Sequence, residues 1–201
     1  MANTSRVQGL RPISQPYGAI RVNWYEAATG VAYYRYQPVD LDSNGRIVAA
    51  VHGSGNFLVG SVIAFGNSDY GPPEATVSGY MPANPTVDAN SAGLIQILVA
   101  DDPNQFFVLE EDTGGAALDA QAVGLGCSWV FRATTGNTKT GLANVVLDRS
   151  TAVVGSNQQL RIIRKQDKPD NAFGNYCKWI VKPYYHRYNS PNMETALGTT
   201  V

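Results

Sequence analysis

From about Val31 onward the chain reads as short apolar, β-branched and aromatic runs separated by turns. Residues 31–36, 46–51 and 57–65 are rich in Val, Ile, Tyr and Phe and are bounded by Asn/Gly clusters, which predicts strands. The same signal returns at 94–100, 105–110, 128–133, 143–147, 159–164 and 178–181. Only 115–123, with four alanines and one leucine, looks briefly helical. Many short strands at this spacing predict an all-β domain, a small barrel or sandwich.

The ends read differently. Residues 1–26 contain Gly9, Pro12, Pro16 and Gly18 without sustained periodicity, so they make no helix and a poor central strand. Their apolar residues, among them Leu10, Ile13, Tyr17, Ile20, Val22, Trp24 and Tyr25, are foreign to a solvated tail. The expectation is an extended N-terminal arm over 1–26, a β domain over 27–187 and a C-terminal tail over 188–201. Residues 66–93, with Gly71-Pro72-Pro73, Pro82 and Pro85, are expected to wrap around the domain or to touch a neighbour.

Composition narrows the function classes. Charged residues make up 15% of the 201 and hydrophobic residues 44%. A surface so poor in charge, against about 25% in a typical domain, suggests cover by partners. Fifteen basic residues against sixteen acidic ones give a net charge of −1, and no basic tract stands out, which argues against phosphate-driven nucleic-acid binding. The nearest approach, Arg161, Arg164 and Lys165 followed by Asp167 and Asp170, reads as a mixed-sign solvated edge. No apolar run reaches the roughly 20 residues of a membrane span. The first sixteen residues lack the apolar core of a signal peptide, so synthesis and assembly in the cytoplasm are expected.

Candidate chemistry is sparse. Asp40-Leu41-Asp42-Ser43-Asn44-Gly45 opens like a calcium loop, but the twelfth position is Val51 instead of glutamate. A hairpin turn at Ser43-Asn44-Gly45 explains it better. Cys127 and Cys177 each stand two residues before a tryptophan. They read either as buried fillers or as facing positions at the starts of neighbouring strands. His52 and His186 read as structural. Asp101-Asp102 and Glu110-Glu111-Asp112 offer carboxylates that a glycosidase would need about 5–10 Å apart, although Asp102-Pro103-Asn104-Gln105 reads as a turn. Trp24, Tyr25 and Tyr34 on one exposed face would make a sugar-stacking platform. A partner-covered edge strand is the commoner use of such aromatics. No metal and no cofactor is expected.

Several segments resemble a family of tailed-phage head proteins. They are Gly9-Leu10-Arg11-Pro12, Val99-Ala100-Asp101-Asp102-Pro103 with Phe107, Leu109 and Glu110-Glu111-Asp112, Val123-Gly124-Leu125, and Gly141-Leu142 through Leu147-Asp148. The most specific runs from Leu160-Arg161-Ile162-Ile163 through Lys168-Pro169-Asp170-Asn171 to Lys178-Trp179. The family is that of capsid decoration, or cement, proteins. The resemblance implies a non-enzymatic virion protein that binds the outer surface of a phage head and bridges major capsid subunits. Symmetric self-association is expected, a homotrimer first and a dimer second. The arm argument, apart from the resemblance, places capsid contacts at Arg6, Leu10, Arg11, Tyr17, Trp24 and Tyr25. A carbohydrate-binding virion module and a glycosidase are the alternatives.

Overall fold

The computed structural model describes residues 3–14, 18–68, 74–75, 79–83, 94–155 and 157–189. In chain order the strands are β1 (Arg11–Ile13), β2 (Asn23–Glu26), β3 (Tyr33–Tyr34), β4 (Pro38–Leu41), β5 (Ile47–Ala49), β6 (Gly60–Ser68) and β7 (Glu74–Ala75). They continue with β8 (Tyr80–Met81), β9 (Leu94–Ala100), β10 (Phe106–Glu110), β11 (Gly126–Asn137), β12 (Leu142–Val153), β13 (Leu160–Lys165) and β14 (Lys178–Pro183). The stretch at 115–123 yields one 3-10 turn, Ala120–Ala122, because the Asp119 side chain caps the Gln121 amide and the chain leaves extended at Val123. Among the described residues no helix is long and apolar enough to cross a membrane.

Two sheets pack as an all-β sandwich. One has the order β1-β10-β14-β13-β11-β12; the other runs β2-β9-β6-β4-β5, with β7 paired to the end of β6. Each sheet curls, and its far members approach through a single bridge: Glu111 to Leu147 in the first, Ala27 to Ile47 in the second. Neither closes into a barrel.

Strand alternation explains the first core. Phe107 and Leu109 of β10, Trp179 and Val181 of β14, Leu160 and Ile162 of β13, and Val145 and Leu147 of β12 all point inward. Ala100 of β9 closes the core from the second sheet, and Leu58, just before β6, packs into it beside the chain that bridges to His186. A second core fills the curl of the other sheet, with Val39, Ile47, Val62, Phe65, Ile97 and Val99 around the buried Tyr33 and Met81. A register shift between Val62 and Ala64 lets both Val62 and Phe65 reach that core despite their odd spacing.

The N-terminal residues differ from expectation. Residues 3–14 and 18–26, expected as an arm for another molecule, are built into this domain. β1 extends the first sheet antiparallel to β10, and β2 forms the edge of the second beside β9. Gly9 makes the entry possible. Its φ is +73°, and a Cβ there would lie 2.6 Å from the Tyr36 carbonyl oxygen, which accepts the Leu10 amide at 2.8 Å. Leu10 then sits wholly buried in the first core. β1 tolerates Pro12 because it is an edge strand.

Asp42 to Arg46 form the turn expected between β4 and β5. Asp42 Oδ1 accepts the Asn44 and Arg46 amides at 2.8 and 2.9 Å, and its other oxygen pairs with the Arg46 guanidinium. These bonds, the Arg46 amide first, hold its carboxyl below the usual range. Asp40 pairs instead with Arg187.

Candidate docking surface

The outer face of the first sheet carries the most distinctive surface. By alternation Arg11, Val108, Glu110, Lys178 and Ile180 face away from the core, in register as Arg11–Val108–Ile180 and Glu110–Lys178. Glu110 is buried there because it holds the preceding chain in place. Its oxygens accept the Ser5 hydroxyl at 2.8 Å and the Arg6 amide at 2.7 Å, with Arg132 Nη1 at 3.4 Å. Asn3 is fixed farther along by exchanging bonds with Ala172.

This anchoring creates a cleft of about 110 Å³ between residues 6–11 and the β13–β14 connection. Arg6, Arg11, Gln166, Lys168, Asp170 and Lys178 line it. Lys178 lies 3.9 Å from Glu110. Among the described residues the side chains of Arg6, Arg11 and Lys168 have no ion pair or hydrogen bond, and Arg11 Nε is buried without an acceptor. Two residues expected at the docking surface, Arg6 and Arg11, therefore share one site. Lys168 and Lys178 complete it, and the chain reading missed them as members because they stand over 150 positions away.

The loop carrying Lys168 is set by one side chain. Asn171 is buried and spans the mouth of the β13–β14 hairpin. Its Nδ2 donates to the Gln166 and Lys178 carbonyls at 2.7 and 2.8 Å, and its Oδ1 accepts the Lys178 amide at 2.7 Å. Lys165 Nζ adds a bond to the Asn171 carbonyl at 2.7 Å. The basic run read as a solvated edge is accordingly divided: Lys165 braces this loop, and Arg161 stacks 4.3 Å over the Tyr184 ring.

The other expected contact residues lie elsewhere. Leu10 is a core residue and offers no side chain to a partner, a correction imposed by its complete burial. Tyr17 lies outside the described residues. Trp24 and Tyr25 occupy the edge strand β2 of the second sheet, half-buried, and as neighbours they project to opposite faces. The Tyr25 hydroxyl hydrogen-bonds to Asp101 and lies 3.1 Å from the Tyr188 hydroxyl, while Asn23 Nδ2 donates to Asp101 at 2.8 Å. Burial first, and then the Asp101 bond, hold the Tyr25 phenol well above its ordinary pKa. Tyr34 is buried in the first core, stacked on Tyr80 with ring centroids 5.7 Å apart. Tyr36 has a φ of +64°, which ends strand alternation after Tyr34. The three aromatics of the sugar-stacking reading thus do not share a face.

The carboxylates are likewise dispersed. Asp102 caps its turn by accepting the Asn104 amide at 2.7 Å, at the start of β10, whereas Glu110 ends that strand, so roughly 17 Å of extended chain lies between them. Glu111 continues the inward row of β10 and meets Arg149, which continues the inward row of β12. Their ion pair at 3.2 Å is buried, and Trp179 Nε1 donates to Glu111 at 2.7 Å. Burial pushes the Glu111 carboxyl up, against the pull of Trp179 and Arg149. Arg149 also bonds Asn175 and the Gly114 and Gly115 carbonyls, so this group seals the end of the core.

Both cysteines are free and buried. They do not face each other. Cys127 pairs with Leu160 and thereby stands level with Pro183, at the far end of β14 from Cys177, roughly 20 Å away along the strand. His52 is exposed and meets the Trp129 ring edge-on at 5.7 Å. His186 is buried, and its Nδ1 accepts the Tyr188 amide at 3.1 Å. Comparison of the chain with protein-family models, curated proteins and solved structures finds no match.

Proposed function

We propose that this chain is a capsid decoration protein, which binds the outer surface of a phage head and stabilises it by bridging major capsid subunits. It works without catalysis or cofactor, associates with itself as a homotrimer or, second, a dimer, and joins the virion in the host cytoplasm. Nucleic acid and membrane are not its partners. What supports the reading is the outer face built around the segment from Leu160 to Trp179, the stretch on which the sequence reading rested most. Its hairpin, closed by Asn171, presents Lys168, Pro169 and Asp170 exposed beside Arg6 and Arg11.

The physical logic agrees. A cement protein needs a rigid body that keeps its shape under load and surface groups that find complementary subunits. Two packed cores and a sealed end provide the first, and the unpaired cations of the outer face provide the second. The test is co-sedimentation of the purified protein with expanded heads that lack it, followed by heating. Saturable binding that raises the temperature of head rupture supports the reading; no binding to any head form overturns it.

A further inference from the structure

We propose that the cleft between residues 6–11 and the β13–β14 connection is an anion site that receives a carboxylate side chain from an acidic segment of the partner protein. The inference rests on the docking reading and names the chemistry of the contact.

Four cations, Arg6, Arg11, Lys168 and Lys178, converge on this cleft against a single carboxylate in its lining, Asp170. That is a concentrated excess in a chain whose net charge is −1. Three of the four have no partner among the described residues, and the Arg11 Nε donor is buried as well. A buried charged donor without an acceptor is costly. A guanidinium fork matches the two oxygens of a carboxylate, so an incoming Asp or Glu would suit the unpaired heads of Arg6 and Arg11 that line the cleft. Gln166 contributes a buried Oε1 that is also unbonded, and a half-turn of its amide presents Nε2–H donors in the same place.

Size and charge choose among anions. A cleft of about 110 Å³ holds a carboxylate head but not a stacked base with its sugar. A phosphate-backbone binder spreads its cations along a track, whereas these are gathered at one point. Asp170 in the lining also weighs more heavily against a dianion than against a monoanion. The site is held in place by its neighbours. Glu110 fixes the Arg6 side, β1 fixes Arg11, and Asn171 fixes the loop of Lys168.

The probe is fluorescein-labelled hexaglutamate, titrated against the full chain and followed by anisotropy, with labelled single-stranded oligothymidine as the competing arm. Saturable hexaglutamate binding is expected, weakened about tenfold by Arg11→Gln with Lys168→Gln and again by raising salt from about 50 mM to about 300 mM. The Arg11 Nε–H resonance should shift along the same titration. Arg6→Gln, on an exposed side chain, gives a second variant should the first pair melt early. No saturable binding, binding indifferent to both sets of variants, or tighter binding of oligothymidine overturns the inference. The same variants on expanded heads separate the two readings. Heads that bind wild type and variants equally overturn the carboxylate site and leave the cement reading intact. Hexaglutamate binding through the cleft, with no binding to heads, overturns the cement reading and leaves the site standing.

Discussion

At the scale of single residues, polar side chains decide more of this structure than their number suggests. Asn171 satisfies three backbone groups at the mouth of one hairpin. Asn171→Ala removes the side-chain partner of the Gln166 carbonyl and the Lys178 amide, while the Lys178 carbonyl keeps the Gln166 amide at 2.9 Å, so it should lower unfolding free energy by about 1–3 kcal/mol, read from urea melts. A loss under about 0.5 kcal/mol would show that water replaces the amide freely. His186 acts through pH. Burial lowers its folded pKa, while the Val59 carbonyl first, then the Asp101 and Asp102 carboxylates and the Asp101 carbonyl, pull the other way and lose. The unfolded chain therefore takes up the proton first as pH falls. The contribution of neutral His186 is complete above about pH 6.5 and declines below it, until the folded pKa is passed. The raised Glu111 works in the opposite sense, favouring the fold at low pH and losing that contribution as pH rises through its folded pKa. The clean readout is thus the difference between wild type and His186→Gln. Wild type should lose stability relative to the variant as pH drops from about 6.5, and parallel curves would contradict the assignment.

At the scale of elements, the edges of the sheets are made by residues that looked like an arm. Deletion of residues 1–26 would strip β1 and β2 and empty the site of Leu10, where loss of a buried leucine alone costs about 2–5 kcal/mol. The shortened chain should show no cooperative melt, and a wild-type transition by calorimetry would contradict the integration of these strands. The central strands were legible because residues buried on a sheet face leave dense apolar runs, as in Leu94–Ala100 and Phe106–Glu110. β1 and β2 were not. Pro12 and the glycines obscure their pairing, and their partners β10 and β9 lie some 70 or more positions away. The Arg149–Glu111 pair escaped notice because a charge at the end of an inward row reads as surface until alternation is followed through it. Among the described residues of the expected contact set, only Arg6 and Arg11 line one cleft, and a linear sequence carries no sign that Lys168 and Lys178 return to meet them. Of the two readings open for the cysteines, the structure shows the buried fillers and not the facing pair. Burial pushes both thiols up, Cys177 to about 12. A thiol reagent at neutral pH should therefore label the native protein only as fast as it unfolds, and prompt labelling would contradict that packing.

At the scale of the whole molecule, rigidity and a localised charge belong together. One core is sealed at its end by Arg149, Glu111 and Trp179, and the second fills the curl of the neighbouring sheet. Residues 3–14 and 18–26 are spent on this body, so under the proposed function reach across capsid subunits would come from the faces of the domain and from the proposed self-association. The outer face with Arg6, Arg11, Lys168 and Lys178 is the surface that the proposed function assigns to the head. The most direct measurement is a cryo-electron reconstruction of expanded heads with and without the added protein. The account predicts new density on the outer shell at symmetric subunit junctions, fitted by this sandwich with that face toward the major capsid protein. Density confined to the tail or the interior, or none at any symmetric position, would contradict it.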